Sequence, residues 1–135
     1  MQLKLLNKPK IISLILGGVC ALGNTPWALW YLSILSLILW FWLIIKNDKP
    51  KKIFTETFKF GFGYFSVSLI WIVEPFLVEP WIHGWIAPIA LIALPSFLAL
   101  TLSIFAFLGL YYLSYIGLVI GLCLAESFSL YLLTG

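Results

Sequence analysis

The side chains that could carry chemistry fall in two places. Glu74, Glu79 and His83 lie within the stretch EPFLVEPWIHG, and Cys123 and Glu126 lie three residues apart near the other end of the chain. Two carboxylates and an imidazole can relay protons or hold a metal, and ionisable groups at membrane depth are functional hypotheses by default. One His with two Glu on an irregular segment gives no defined ligand spacing, however. Loop-end carboxylates are ordinarily solvated, so helix capping and a wetted loop are the expected roles here. Cys123 and Glu126 share a helix face, which suggests a nucleophile and its base. A thiolate needs a cationic or polar setting, and no Lys, Arg or His is near either residue in the sequence. No catalytic residue, metal ligand or cofactor is therefore assigned. Glu126 lies well inside the last apolar run, where an unpaired carboxylate costs about 2.5–3.5 kcal/mol. It is expected to be protonated, to face other helices, or to lie close to an interface.

These groups are set in an unusually apolar chain. Of its 135 residues 63% are hydrophobic and 10% charged, with mean hydropathy +1.11, whereas about a quarter of a soluble domain is charged. This composition is that of an integral membrane protein and excludes a nucleic-acid partner. Cys20 and Cys123 fall inside apolar runs and read as packing thiols, since disulfide frameworks belong to small secreted domains.

All eight basic residues are lysines: Lys4, Lys8 and Lys10, then Lys46, Lys49, Lys51, Lys52 and Lys59. From Phe60 to Gly135 there is no Lys or Arg. Because Lys and Arg in short loops mark the cytoplasmic side, Lys46, Lys49, Lys51 and Lys52 act as topology signals, and the N-terminus lies inside.

The elements that must position these residues are five apolar segments, expected to span at about 11–23, 27–45, 55–73, 85–107 and 116–133 as a single all-α transmembrane domain. The start has a signal-peptide layout, but more membrane segments follow, so the short first helix is read as staying attached. Thr25 is expected to cap the second helix, with Pro26 at its first position, and the tryptophans at its ends, Trp40 and Trp42 included, to form interfacial belts. KNDKPKK (46–52) reads as a water-exposed loop. Glu74-Pro75 ends the third span, and 74–84 reads as a loop or re-entrant segment because its two prolines exclude an uninterrupted helix. Pro95 predicts a kink, and LGLYYLSY (108–115) a turn. Alternation then places the C-terminus outside. Gly117 and Gly121 match the small-residue pattern that lets helices approach closely, within the chain or between copies.

Three stretches in order resemble the N-terminal membrane region of bacterial apolipoprotein N-acyltransferases. They are Gly23-Asn24-Thr25-Pro26-Trp27-Ala28-Leu29-Trp30; then Gly61-Phe62-Gly63-Tyr64-Phe65 running on to Trp71, with Gly84 and Pro88 beyond it; and Leu124-Ala125-Glu126 with Leu133-Thr134-Gly135. The resemblance implies membership of enzymes that move an acyl chain from a phospholipid to the amino group of a lipoprotein's N-terminal cysteine. It also implies that the chemistry resides in a nitrilase-like domain with a Glu-Lys-Cys triad, matched nowhere in this chain. The sequence departs from the family pattern at Ser129, where an Arg is usual, and at Leu130, in place of a Gly.

The expectation is a truncated or split family member in the bacterial inner membrane, inactive by itself. Trp71, Gly84, Glu126, Gly117 and Gly121 are its lipid-binding or packing candidates. Its expected partners are membrane phospholipid, a lipoprotein substrate and a separate nitrilase-like subunit. The alternative is a non-enzymatic polytopic membrane protein, either a transporter subunit or an inactive remnant.

Overall fold

The structure is a computed structural model that describes residues 9–24, 27–46, 49–78, 81 and 84–134. Thr25, Pro26, Glu79, His83 and Gly135 lie outside the described residues, as do Lys4 and Lys8. What is described is all-helical: α1 (Pro9–Ala21), α2 (Trp30–Ile45), α3 (Pro50–Ser68), a 3-10 turn (Ile70–Val73), the single turn α4 (Glu74–Leu77) and the long run α5 (Ile86–Thr134). One of these, α5, is long and apolar enough to cross a membrane, while α1 and α2 are shorter apolar helices.

Several boundaries differ from the sequence expectation. The second helix starts at Trp30 behind Leu29, without a side-chain cap. The chain before it turns through Ala28, at φ 51°, with Leu29 N–H donating to the Leu22 carbonyl at 3.1 Å. The loop read over 46–52 is shorter than expected, because Pro50, Lys51 and Lys52 already belong to α3. Proline suits a first helical turn, where its missing N–H would have no partner, and it pushes the residue before it to extended backbone. Lys49 has that conformation, at φ −90° and ψ 116°. At its far end α3 stops at Ser68, a turn before Glu74-Pro75. A continuing helix would drive the Pro75 ring into the Trp71 carbonyl, so the chain tightens to 3-10 geometry first. Glu74–Leu77 is then helical, where a loop or re-entrant segment was expected.

The long run α5 is two arms. Helical dihedrals continue through Pro95, where a kink was expected, and break at Leu113 (φ −129°, ψ 17°) and Ser114 (φ 58°, ψ −146°). The arms, 86–112 and 115–134, are about 40 Å and about 30 Å long at 1.5 Å per residue. They lie against each other: a Cβ on Gly109 would meet the Gly117 carbonyl, and one on Gly121 would meet the Phe105 carbonyl. The rings of Phe105 and Phe128 are 5.9 Å apart. The turn expected over 108–115 is thus confined to its last part, and Gly109 serves as a close-approach residue inside a helix.

Ser114 occupies backbone that only glycine adopts without strain, at a cost of order 1–3 kcal/mol. Ser114→Gly should therefore stabilise the fold by about 1 kcal/mol after the entropic cost of glycine. Thermal unfolding in detergent, monitored by circular dichroism, measures this, and a lowered midpoint would show that the turn prefers its serine.

A second glycine seam joins α1 to α3. A Cβ on Gly17 would overlap the Phe60 carbonyl, and one on Gly63 would overlap the Leu14 carbonyl. The two helices run parallel, since Ser13 meets Glu56 near their starts and Asn24, just past α1, reaches Ser68 at the end of α3. Helix α2 runs back between them in sequence, with the Ser33 and Ser36 hydroxyls donating to the α1 carbonyls of Cys20 and Leu16. The first arm of α5 packs antiparallel to α3, with Phe54 beside Phe107 and Gly61 beside Ala99 and Leu102. The α2–α3 connection, with its lysines, and the Leu113–Ser114 reversal therefore share one end of the bundle. Lys46 lies over the Trp42 ring there, 5.1 Å from its centroid.

Candidate functional site: an aromatic cavity at Glu126

A cavity of about 480 Å³ opens where the helices meet, within the size range of small-molecule sites. Helix periodicity explains its lining. The second arm of α5 contributes Val119, Leu122, Cys123 and Glu126, spaced as one helical stripe. Helix α2 contributes Leu37, Trp40 and Phe41, and α3 contributes Phe60 and Tyr64 one turn apart. Cys20 of α1 and Leu102 of the first α5 arm complete the wall.

Trp40 anchors this wall. It is fully buried, stacked on Phe60 with ring centroids 4.5 Å apart and edge-on to Phe41 at 5.2 Å. Its indole N–H finds no acceptor among the described residues. The expected interfacial role of Trp40 is thus corrected: only Trp42, two residues on, faces outward, at 55% exposure. A spacing of two on a helix turns a side chain to another face, so neighbouring tryptophans take opposite roles. Tyr64 accepts a hydrogen bond from the Asn24 amide at 3.4 Å.

Glu126 is half-buried and lines the cavity. No hydrogen bond or ion pair joins it to any other described residue, and the lining holds no Lys, Arg or His. Cys123 lines the same cavity, as its spacing predicts, and Cys20 faces it from α1. Both thiols are free. Without a cation in the lining, neither has the setting that holds a thiolate. Among the described residues no three His, Cys, Asp or Glu side chains come together as metal ligands would.

The remaining candidates lie elsewhere. Trp71 sits on the 3-10 turn, exposed, and Gly84 lies in the turn before α5; neither meets the cavity. Gly117 and Gly121 form the seam between the α5 arms. Glu74 is exposed in α4.

One ionisable group was missed from the sequence. Glu56, in α3, is buried, accepts a hydrogen bond from the Ser13 hydroxyl at 2.5 Å and pairs with Lys59 at 2.7 Å. The available signal was the spacing of Glu56 and Lys59, three apart on a helix face.

Residues 16–135 match the family described as the apolipoprotein N-acyltransferase N-terminal domain. The apolipoprotein N-acyltransferase of Rhodopseudomonas palustris is 30% identical over 138 aligned residues, covering 95% of this chain and 26% of that protein. That of Rhizobium rhizogenes is 27% identical over 76% of this chain and 21% of its own length. In the Sinorhizobium fredii enzyme a shorter stretch of 41 residues reaches 49% identity, over 30% of this chain and 8% of that protein. The chain thus spans about a quarter or less of the length of these relatives. No solved structure matches it.

Proposed function

The chain belongs to the apolipoprotein N-acyltransferase family through that family's N-terminal domain, and from this we propose that it is the acyl-chain-binding part of an acyl transfer in bacterial lipoprotein maturation. It sits in the inner membrane as a five-span unit, N-terminus inside and C-terminus outside. The α5 hairpin supplies the last two spans, and the lysine-bearing end faces the cytoplasm. The acyl chain of a phospholipid or of a diacylated lipoprotein lies in the Trp40–Glu126 cavity, and a nitrilase-like part outside these residues makes and breaks the bonds.

The observation that carries this reading is the cavity itself, apolar and aromatic with one carboxyl group, in a chain of this family. Chemistry elsewhere follows from the lining. The cavity lining brings no cation to Cys20 or Cys123, and every lysine precedes Phe60 in the sequence. The purified chain, incubated with phospholipid and a diacylated lipoprotein, should yield no N-acylated product by mass spectrometry. A nitrilase-like subunit added to the same vesicles should restore the product. Transfer by the chain alone overturns the division of labour.

A further inference from the structure

We propose that the lysine-bearing end of the bundle holds an anionic phospholipid, with its phosphate on Lys46, Lys49 and Lys51 and one acyl chain in a groove between α3 and the first arm of α5. This site shares no residue with the Trp40–Glu126 cavity. It rests only on that end of the bundle lying at a membrane surface.

Two observations meet there, and the first is charge. Lys46, Lys49, Lys51 and Lys52 are all exposed, and Asp48 is the one acid among them in the sequence. Among the described residues the carboxylate packed into this end is Glu56, which is buried and already paired with Lys59. A basic cluster beside a membrane helix attracts anionic headgroups, more strongly with each lysine near the surface.

The second observation is shape. A groove of about 260 Å³ lies between Pro50, at the start of α3, and Phe107, Leu110 and Tyr111 of α5. Lys49 and Lys51 flank Pro50 in the chain, so the charge begins at the rim of the groove. Phe107 is held in the wall by Phe54, edge-on with ring centroids 6.3 Å apart. An acidic peptide in this groove would find almost no partner for its backbone, and unpaired polar groups are costly in apolar surroundings. A hydrocarbon chain has no such groups to satisfy. Tyr111 and Tyr112 are both exposed at this end, and amphipathic rings of this kind suit the headgroup layer. Charge at the rim and an apolar wall below it fit a molecule with an anionic head and a hydrocarbon tail.

Photocrosslinking tests this, with phosphatidylglycerol and phosphatidylcholine probes that each carry a diazirine on one acyl chain. The full chain is placed in phosphatidylcholine nanodiscs with either probe, irradiated, and its labelled peptides are mapped by mass spectrometry. Phosphatidylglycerol should label Phe107–Tyr111 roughly tenfold more than phosphatidylcholine does, the worth of one or two lysines at a charged headgroup. Combining Lys46→Gln, Lys49→Gln and Lys51→Gln should remove that excess, and the same three changes to Arg should keep it. Labelling at Val119–Glu126, in the other cavity, should be equal in all three proteins, which reports an intact bundle. Equal labelling of Phe107–Tyr111 by the two probes, or an excess that survives the Gln variant, overturns the proposal. So does an excess spread evenly over every labelled peptide, which is general attraction of anionic lipid without a site. Displacement of the label by soluble glycerol phosphate overturns it too, because the lysines would then read a free anion and the groove would hold no chain.

Discussion

Replacing Lys59 with methionine should cost about 3 kcal/mol of stability in detergent, the lower end of what removing one partner from a buried ion pair costs. The carboxylate of Glu56 is the reason. Its side chain is 8% exposed and that of Lys59 21%, so the substitution leaves the more deeply buried charge behind. The Ser13 hydroxyl, itself buried in α1, remains its one donor among the described residues. A carboxylate with a single neutral donor in an apolar bundle must stay charged at a desolvation cost or take up a proton. Either route weakens the contact that ties α1 to α3. The expected cost is at the lower end because the lysine was partly exposed. Pairing Lys59→Met with Glu56→Gln should recover most of the loss, since glutamine still accepts from Ser13 and brings no charge. Denaturant unfolding of the single and double variants forms a double-mutant cycle. Additive losses, or a Lys59→Met cost below about 1 kcal/mol, the level of a surface pair, would mean that Glu56 and Lys59 act independently.

A second large effect is expected at the α1–α3 seam. Gly63→Val should destabilise the protein by about 3 kcal/mol, the upper part of the usual range for overpacking. The new side chain would land on the Leu14 carbonyl, with the Gly18 backbone nitrogen 3.1 Å from its Cβ. Backbone cannot swing aside as a flexible side chain can, so α1 as a whole must shift. That shift would also disturb Gly17, which sits against the Phe60 carbonyl, and with it the Trp40–Phe60 stack. Gly18→Ala provides the control. Its Cβ would meet nothing nearer than a Val67 methyl at 3.6 Å, an ordinary contact, and alanine favours a helix by up to about 1 kcal/mol over glycine. Thermal midpoints of the two variants should therefore move in opposite directions. Equal midpoints would refute the close approach at Gly63.

Much of the architecture was legible in the residue order. Long apolar stretches separated by Asn24, the lysine segment and the prolines around Glu74 mark where the chain must leave its helices, because polar side chains and proline are costly inside apolar helices. The boundaries moved by several residues, since a turn is set by how the flanking helices dock as well as by its own composition. The second helix begins at Trp30 for that reason, and the α5 reversal falls at Ser114, where φ is positive, with no glycine there to announce it. The stripe of Val119, Leu122, Cys123 and Glu126 follows from spacing alone. Its partners do not.

Sequence alone was enough to define an apolar, all-helical chain with its positive charge gathered before Phe60, and its order of motifs was enough to point to the family. Those properties are sums over residues or local patterns, and they do not depend on which helix touches which. Tertiary structure decided which similar residues do different work. Trp40 is buried in the cavity wall while Trp42 faces outward. Gly63 and Gly117 close helix seams where Gly18 has room to spare. Glu56 holds two partners while Glu126 has none among the described residues. A helix that is apolar on every side carries no stripe to say which face turns inward, so these roles are set only when the neighbouring helices arrive.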